Sequence, residues 1–176
     1  KCQMRDVNFS AARLTLATFE LTDLSKSKME GLDAGSVSFL ECNLNYVRAG
    51  EKSQLQGARV IKGSATAIIF SEANLSNAIF EDIPMPSADF SNTDLTHTHF
   101  SRCDLKMAEF SKCEAIDTVL SGVNLFQANF TKANLQGTDL SLSNLFGAEF
   151  GKANIKEANL QNANIKRTKI AMGMVK

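Results

Sequence analysis

The sequence predicts an all-β fold, a four-sided β-helix of about eight stacked coils of roughly twenty residues each. Three observations predict it. A large apolar residue recurs at every fifth position from Phe70 to Ile170; a small residue stands two positions before most of these centres; and phenylalanine recurs at every twentieth position.

The centres run Phe70, Leu75, Phe80, Met85, Phe90, Leu95, Phe100 and onward to Leu160, Ile165 and Ile170, and only Ala115 among them is small. A period of five matches neither the 3.6 of a helix face nor the 2 of a strand, so the chain has to turn at each repeat. If each repeat is one side of a square, strand alternation sends the centre and the residue two before it inward. The other three residues face solvent, and four sides close a coil.

The residue two before the centre is small, as in Ala73, Ala78, Ala88, Thr93, Cys103 and Ala128, because so narrow a square has no room for two large side chains. The position between the two is often Asn or Asp, which suits hydrogen bonding at corners and turns. Toward the N-terminus the same grammar passes through Val60 and Leu55. It then continues one residue out of phase through Leu44, Phe39, Met29, Leu24, Phe19, Leu14, Phe9 and Met4. A single domain over 1–176 with one extra residue within 45–54 accounts for both registers.

Positions twenty apart resemble one another more than positions five apart. Phe70, Phe90, Phe110, Phe130 and Phe150 form one column of the core, and Phe80 and Phe100 belong to the opposite one. Burial of each ring contributes about 2 kcal/mol, and offset stacking along the column adds to it. With coils about 4.8 Å apart the rod is about 40 Å long.

Runs such as Ala73-Asn74-Leu75-Ser76-Asn77-Ala78 and Ala153-Asn154-Ile155-Lys156-Glu157-Ala158-Asn159-Leu160 resemble the A(D/N)LXX signature of the pentapeptide-repeat family, over essentially the whole chain. The resemblance implies a right-handed quadrilateral β-helix and a family that acts by binding. Its roles include DNA-mimicking topoisomerase modulators, modules of secreted bacterial effectors, and thylakoid-lumen or cyanobacterial proteins.

Composition and charge narrow the choice. Lys plus Arg and Asp plus Glu both total 19, so no global field holds a nucleic-acid backbone and direct nucleic-acid binding is not expected. The neutral balance, and the lack of a helical tail after Ile170, both depart from the DNA-mimic pattern. Charge is uneven along the chain: residues 70–118 carry nine acids against three bases, and 151–176 carry one acid against six bases. No apolar run approaches the length of a membrane span, and no signal peptide is visible. The chain begins at Lys1 and its repeats run almost to both termini, leaving no room for caps. This points to a module of a longer protein, closed by adjoining domains or by end-to-end self-association.

Four places in the sequence are candidates for chemistry. Cys2, Cys42, Cys103 and Cys113 all stand two before a centre, where they are small core fillers; no disulfide is expected, which suits a reducing compartment, the cytoplasm or a host cell's cytosol. His97 and His99 lie near Asp94 and Asp104 around a corner, but without a third ligand or a pocket they read as solvated surface. Ala49-Gly50-Glu51-Lys52-Ser53 lacks the glycine spacing of a phosphate loop and reads as the bulge absorbing the register shift. Pro84 and Pro86 keep the register although proline cannot donate to a ladder, so a local edge or protruding corner is expected there. No catalytic, metal or cofactor set emerges.

Outward apolar residues carry more information, because the repeat gives them no core duty. Ten of the 12 phenylalanines are centres, and the two left over are Phe126 and Phe146, one coil apart on the same side with Leu142 nearby. These three are the candidate partner-binding surface. Ile69, Ile79, Val119, Leu16, Leu21, Leu40 and Tyr46 form a more scattered outward set. The function expected is a non-catalytic protein-binding scaffold, the β-helix domain of a bacterial secreted effector; the alternative is a stand-alone topoisomerase (DNA gyrase) modulator acting as a DNA mimic.

Overall fold

The computed structural model of the chain describes residues 2–168; Ile170, the last expected centre, lies outside them. Its strands are β1 (Cys2–Gln3), β2 (Thr18–Glu20), β3 (Thr22–Asp23), β4 (Ser38–Asn43), β5 (Arg59–Ser64), β6 (Ile79–Glu81) and β7 (His99–Ser101). All pair in parallel in one sheet of order β1-β3-β4-β5-β6-β7, with β2 on β4. Each pairing joins residues one coil apart, as in Phe80 opposite Phe100. The fold is a four-sided parallel β-solenoid.

Sequence reasoning led to about eight coils of twenty residues, and the count of coils built from regular strands is smaller. Extended strands occupy only the first five turns; beyond Ser101 the coils are joined by isolated bridges, such as Glu109 to Asn129 and Asn144 to Asn164. The reason is geometric. Between one two-residue corner and the next, only the residue before the centre is free to bridge both ways. β4 and β5 are longer because they run on through a corner at Glu41 and at Lys62.

Most corners are hydrogen-bonded turns. The N–H of the next small residue donates to the centre's carbonyl, as from Ala73 to Phe70 at 2.9 Å and from Ala128 to Leu125 at 3.0 Å. The third turn position has positive φ, for instance 65° at Glu72, 62° at Lys132 and 58° at Leu142, as a type II turn requires. The Asn or Asp before the centre accepts the N–H two residues on, as Asn74 does from Ser76 and Asp94 from Thr96, both at 3.0 Å.

We number the sides by their centres: Phe9 to Phe150 line the first, Leu14 to Ile155 the second, Phe19 to Leu160 the third, and Met4 to Leu145 the fourth. On the first side the rings of Phe70, Phe90, Phe110, Phe130 and Phe150 stack at 4.9–5.5 Å. On the third, Phe80 and Phe100 stack at 4.8 Å. The two columns meet edge to face across the axis, Phe90 to Phe100 at 5.7 Å and 87°.

Two coils invert the grammar. Where the centre is Ala34 or Ala49, the residue two before it is Leu32 or Val47, and all four are buried. On these two sides the large inward residue comes first and the small one second, whereas Ile83 with Met85 and Ile68 with Phe70 place two large residues inward. Around Ala49, where the aromatic column lapses, an apolar cavity of about 10 Å³ remains between Met29, Phe39, Leu55 and Phe70.

The register changes at the same coil. Bridges from Asn8 to Lys28 to Arg48 step by twenty, the bridge from Arg48 to Ile69 steps by twenty-one, and Ile69 to Asp89 returns to twenty. Gly50, buried at the corner, keeps a counterpart in Ser71, and a Cβ on Gly50 would stand 2.5 Å from the Ser71 carbonyl oxygen. The added residue is Lys52, whose φ of 65° follows the 49° of Glu51 and whose N–H donates to the Glu72 carbonyl at 3.1 Å. The Ser53 hydroxyl ties this corner down by donating toward the Gly50 carbonyl at 2.6 Å and the Met29 carbonyl at 2.9 Å.

Candidate functional site

Every inward position is occupied by packing, so recognition has to come from the outward corners and the residues between them. Phe126 and Phe146 follow the fourth-side centres Leu125 and Leu145. Their rings stack at 5.6 Å and 8°, half-buried against the rod. The Arg167 guanidinium lies 5.5 Å from the Phe146 ring centre, extending the stack by one planar group.

Leu142 is 64% exposed at the neighbouring corner, so Leu142 and Phe146 flank Asn144 across the fourth side. The structure adds a residue that sequence reasoning passed over: Met107, 55% exposed, stands one coil above Phe126, and its N–H donates to the Phe126 carbonyl at 2.8 Å. Its place two after the centre Leu105, on the same corner as Phe126, was the available signal.

The floor between the two corners is an amide ladder. Asn124 Nδ2 donates to Asp104 Oδ1 at 2.7 Å, Asn144 Nδ2 to Asn124 Oδ1 at 3.0 Å, and Asn164 Nδ2 to Asn144 Oδ1 at 3.0 Å. The other sides repeat the device: Asn129 donates to Glu109, Asn134 to Glu114, and Asn159 to Asp139. Each ladder runs toward the N-terminus and ends on a carboxylate, whose charge strengthens the last bond.

The remaining candidates are dispersed. Asp94 belongs to the second side, His99 to the third and Asp104 to the fourth, with His97 on the corner between second and third, so the four do not converge. Asp94 and Asp104 are engaged by Thr96 N–H and by Asn124. Pro84 does not protrude: it bridges to Asp104, and its carbonyl accepts the Ala65 N–H at 3.0 Å. Cys42, Cys103 and Cys113 are buried thiols and Cys2 is exposed. Burial pushes the Cys103 thiol up to about 11 and the Cys113 thiol up to about 12, so neither is a ready nucleophile.

Of the scattered set, Leu16, Leu21, Tyr46 and Ile79 are exposed, and Leu40 lies in register with Ile61 on the next coil. The acidic middle contains like-charge stacks, Asp89 over Glu109 and Asp94 over Glu114. Arg102 is engaged by Glu81 and Asp82. No helix among the described residues is long and apolar enough to cross a membrane.

The chain matches two family profiles, one described as a pentapeptide repeat region, over residues 94–170, and one as pentapeptide repeats (8 copies), over 2–39 and 68–106. The gap between 39 and 68 contains the inverted Val47/Ala49 pair and Gly50. No curated protein matches by sequence.

Among solved structures, a pentapeptide repeat protein (Rfr23) of the cyanobacterium Cyanothece 51142 is 28% identical at a TM-score of 0.43, over 61% of this chain and 63% of that one. This chain thus spans less than two thirds of that relative's length. HetL of Nostoc sp. strain PCC 7120, involved in heterocyst differentiation regulation, is 23% identical at 0.48, over 94% and 86%. A trypsin-treated form of QnrB1, a plasmid-mediated fluoroquinolone resistance protein, is 17% identical at 0.52, over 92% and 86%, a likeness of fold alone.

Proposed function

As the chain belongs to the pentapeptide-repeat family, we propose that it is a non-catalytic protein-binding scaffold whose partner rests on the fourth side, around Phe126, Leu142 and Phe146. One observation supports this reading above the others: two phenylalanines without core duty are stacked in register on an outward corner, beside an exposed leucine and an exposed methionine. Packing of the rod needs none of them, and apolar side chains aligned in this way are a cost in water unless a partner covers them. A neutral rod with one apolar side fits a recognition module of a secreted bacterial effector.

The test is site-specific photo-crosslinking in a lysate of the source organism. A photoreactive phenylalanine at 126 or 146 is expected to trap a protein adduct that the same group at 119 or 132, on other sides, does not. Equal trapping at all four positions contradicts the reading.

The alternative, topoisomerase modulation through a DNA-like surface, is favoured by the stacked carboxylates Asp89/Glu109 and Asp94/Glu114. A gyrase supercoiling assay separates the two readings. The scaffold reading expects no change in supercoiling on adding the chain, and dose-dependent inhibition or protection supports the alternative.

A further inference from the structure

We propose that the occupant of the fourth side is an acidic amphipathic α-helix of a partner protein, lying along the rod axis. This rests on the protein-binding reading above and goes beyond it in naming the partner's chemistry and shape.

Four successive strips of the fourth side define the patch. The middle two are apolar at their edges, Gly122 and Phe126 in one, Leu142 and Phe146 in the next. The strips above and below carry basic groups: Lys106 beside Met107 at one end, Lys166 and Arg167 at the other. Lys106, Lys166 and Arg167 form no ion pair among the described residues, whereas Arg102 is committed to Glu81 and Asp82. The patch is therefore an apolar centre with a cation outside any ion pair at each end, Asp104 in the upper strip being bonded to the Asn124 amide and to the Lys106 N–H. Its complement is an apolar segment with negative charge at both ends.

Dimensions select a helix. Leu142 and Phe146 are separated by four residues of nearly extended chain, at most about 13 Å, and a helix with its side chains is about 10–12 Å across. Lys106 and Lys166 are three coils apart, about 14 Å. At about 1.5 Å per residue, a helix covers that distance in about ten residues, roughly three turns. Acidic residues at i and i+11 with apolar residues at i+4 and i+7 fall on one helix face and meet the basic, apolar, apolar and basic strips in order.

The amides of the floor are tied to one another along the side. The Nδ2 groups of Asn124, Asn144 and Asn164 already donate along the ladder. The Oδ1 atoms of Asn124 and Asn144 also take the N–H groups of Phe126 and Phe146 at 3.4 Å. Desolvating them costs less than desolvating free amides. A lipid surface fits less well, because Phe126 and Phe146 turn their stacked faces to each other and lie half-buried rather than projecting.

The test uses the full chain and fluorescein-labelled synthetic peptides. The probe is a helix-favouring peptide with the pattern Glu-x3-Leu-x2-Leu-x3-Glu. Its controls carry Lys for both Glu, two prolines among the x positions, or the same composition scrambled. Anisotropy titrations are expected to show binding at least tenfold tighter for the probe than for any control. F126S/F146S and, separately, Leu142→Glu should weaken it at least tenfold at unchanged melting temperature. Lys106→Glu with Lys166→Glu should abolish the preference for Glu over Lys.

Equal binding of the proline peptide overturns the helix. Equal binding of the Lys peptide overturns the charge complement. Binding to phosphatidylserine vesicles that F126S/F146S removes, with no peptide preference, assigns the side to lipid and overturns the proposal. Crosslinking that persists at 146 while the probe shows no preference ends the helix inference and leaves the docking reading intact; loss of fourth-side crosslinking ends both.

Discussion

The ring of Phe90 lies 5.0 Å from that of Phe110, twenty residues later, with the two planes only 9° apart. Both rings are fully buried. One coil therefore stands directly over the last, and the aromatic column is a continuous element of the core.

Phe110→Ala removes a ring stacked on both sides and is expected to destabilise the chain by about 3–5 kcal/mol. Phe9→Ala, at a half-buried position of the same column, should cost less than half as much. Urea denaturation followed by circular dichroism measures both, and similar losses would mean that the column is not cooperative.

Gly63 has φ +89°, and a Cβ there would overlap the Cys42 carbonyl oxygen and stand 2.8 Å from the Cys42 nitrogen. Gly63→Ala is expected to cost more than 2 kcal/mol. Gly122 has φ +69° with nothing within 4 Å of the added carbon, so Gly122→Ala should cost only about 1 kcal/mol. The difference in urea midpoint separates backbone collision from backbone conformation.

Much of this was legible in the sequence, because the period of five and the recurrence at twenty name the inward residues directly. The inverted pairs Leu32/Ala34 and Val47/Ala49 were not, since a search for large centres skips a coil whose large residue arrives two positions early. The amide ladders were half legible: Asn and Asp before the centres announced turn hydrogen bonds. Their donation from coil to coil depends on side-chain direction, which periodicity does not carry. Phe126, Leu142 and Phe146 stood out as outward residues. Their grouping with Met107, Lys106 and Arg167 emerges only when strips twenty residues apart are laid side by side.

Asp94 bridges to Glu114 on the next coil, and like charges directly opposite destabilise paired strands. Asp94→Asn keeps the oxygen that accepts the Thr96 N–H and removes the repulsion. It should add about 0.5 kcal/mol at low salt, and the gain should vanish in about 1 M salt, where the screening length is about 3 Å. Thermal melts at both salt concentrations check it.

Burial raises the Cys113 thiol from 9.0 to about 12 and the Cys103 thiol from 9.0 to about 11. The folded state holds these protons while the unfolded state releases them. The stability they contribute is complete below about pH 8 and is lost as pH rises from about 9 toward 12. Cys113→Ala is expected to flatten that alkaline decline relative to the parent in urea melts between pH 8 and 11. At pH 8, an aromatic disulfide reagent should label Cys2 rapidly and the other three cysteines only on unfolding.

The most direct test of the docking side is a map of backbone amide chemical shifts as the acidic amphipathic peptide is added to the full chain. The expected changes fall in four strips twenty residues apart, 102–107, 122–127, 142–147 and 162–167. Changes concentrated instead on the first and second sides, among Asp89, Asp94, Glu109 and Glu114, would contradict it.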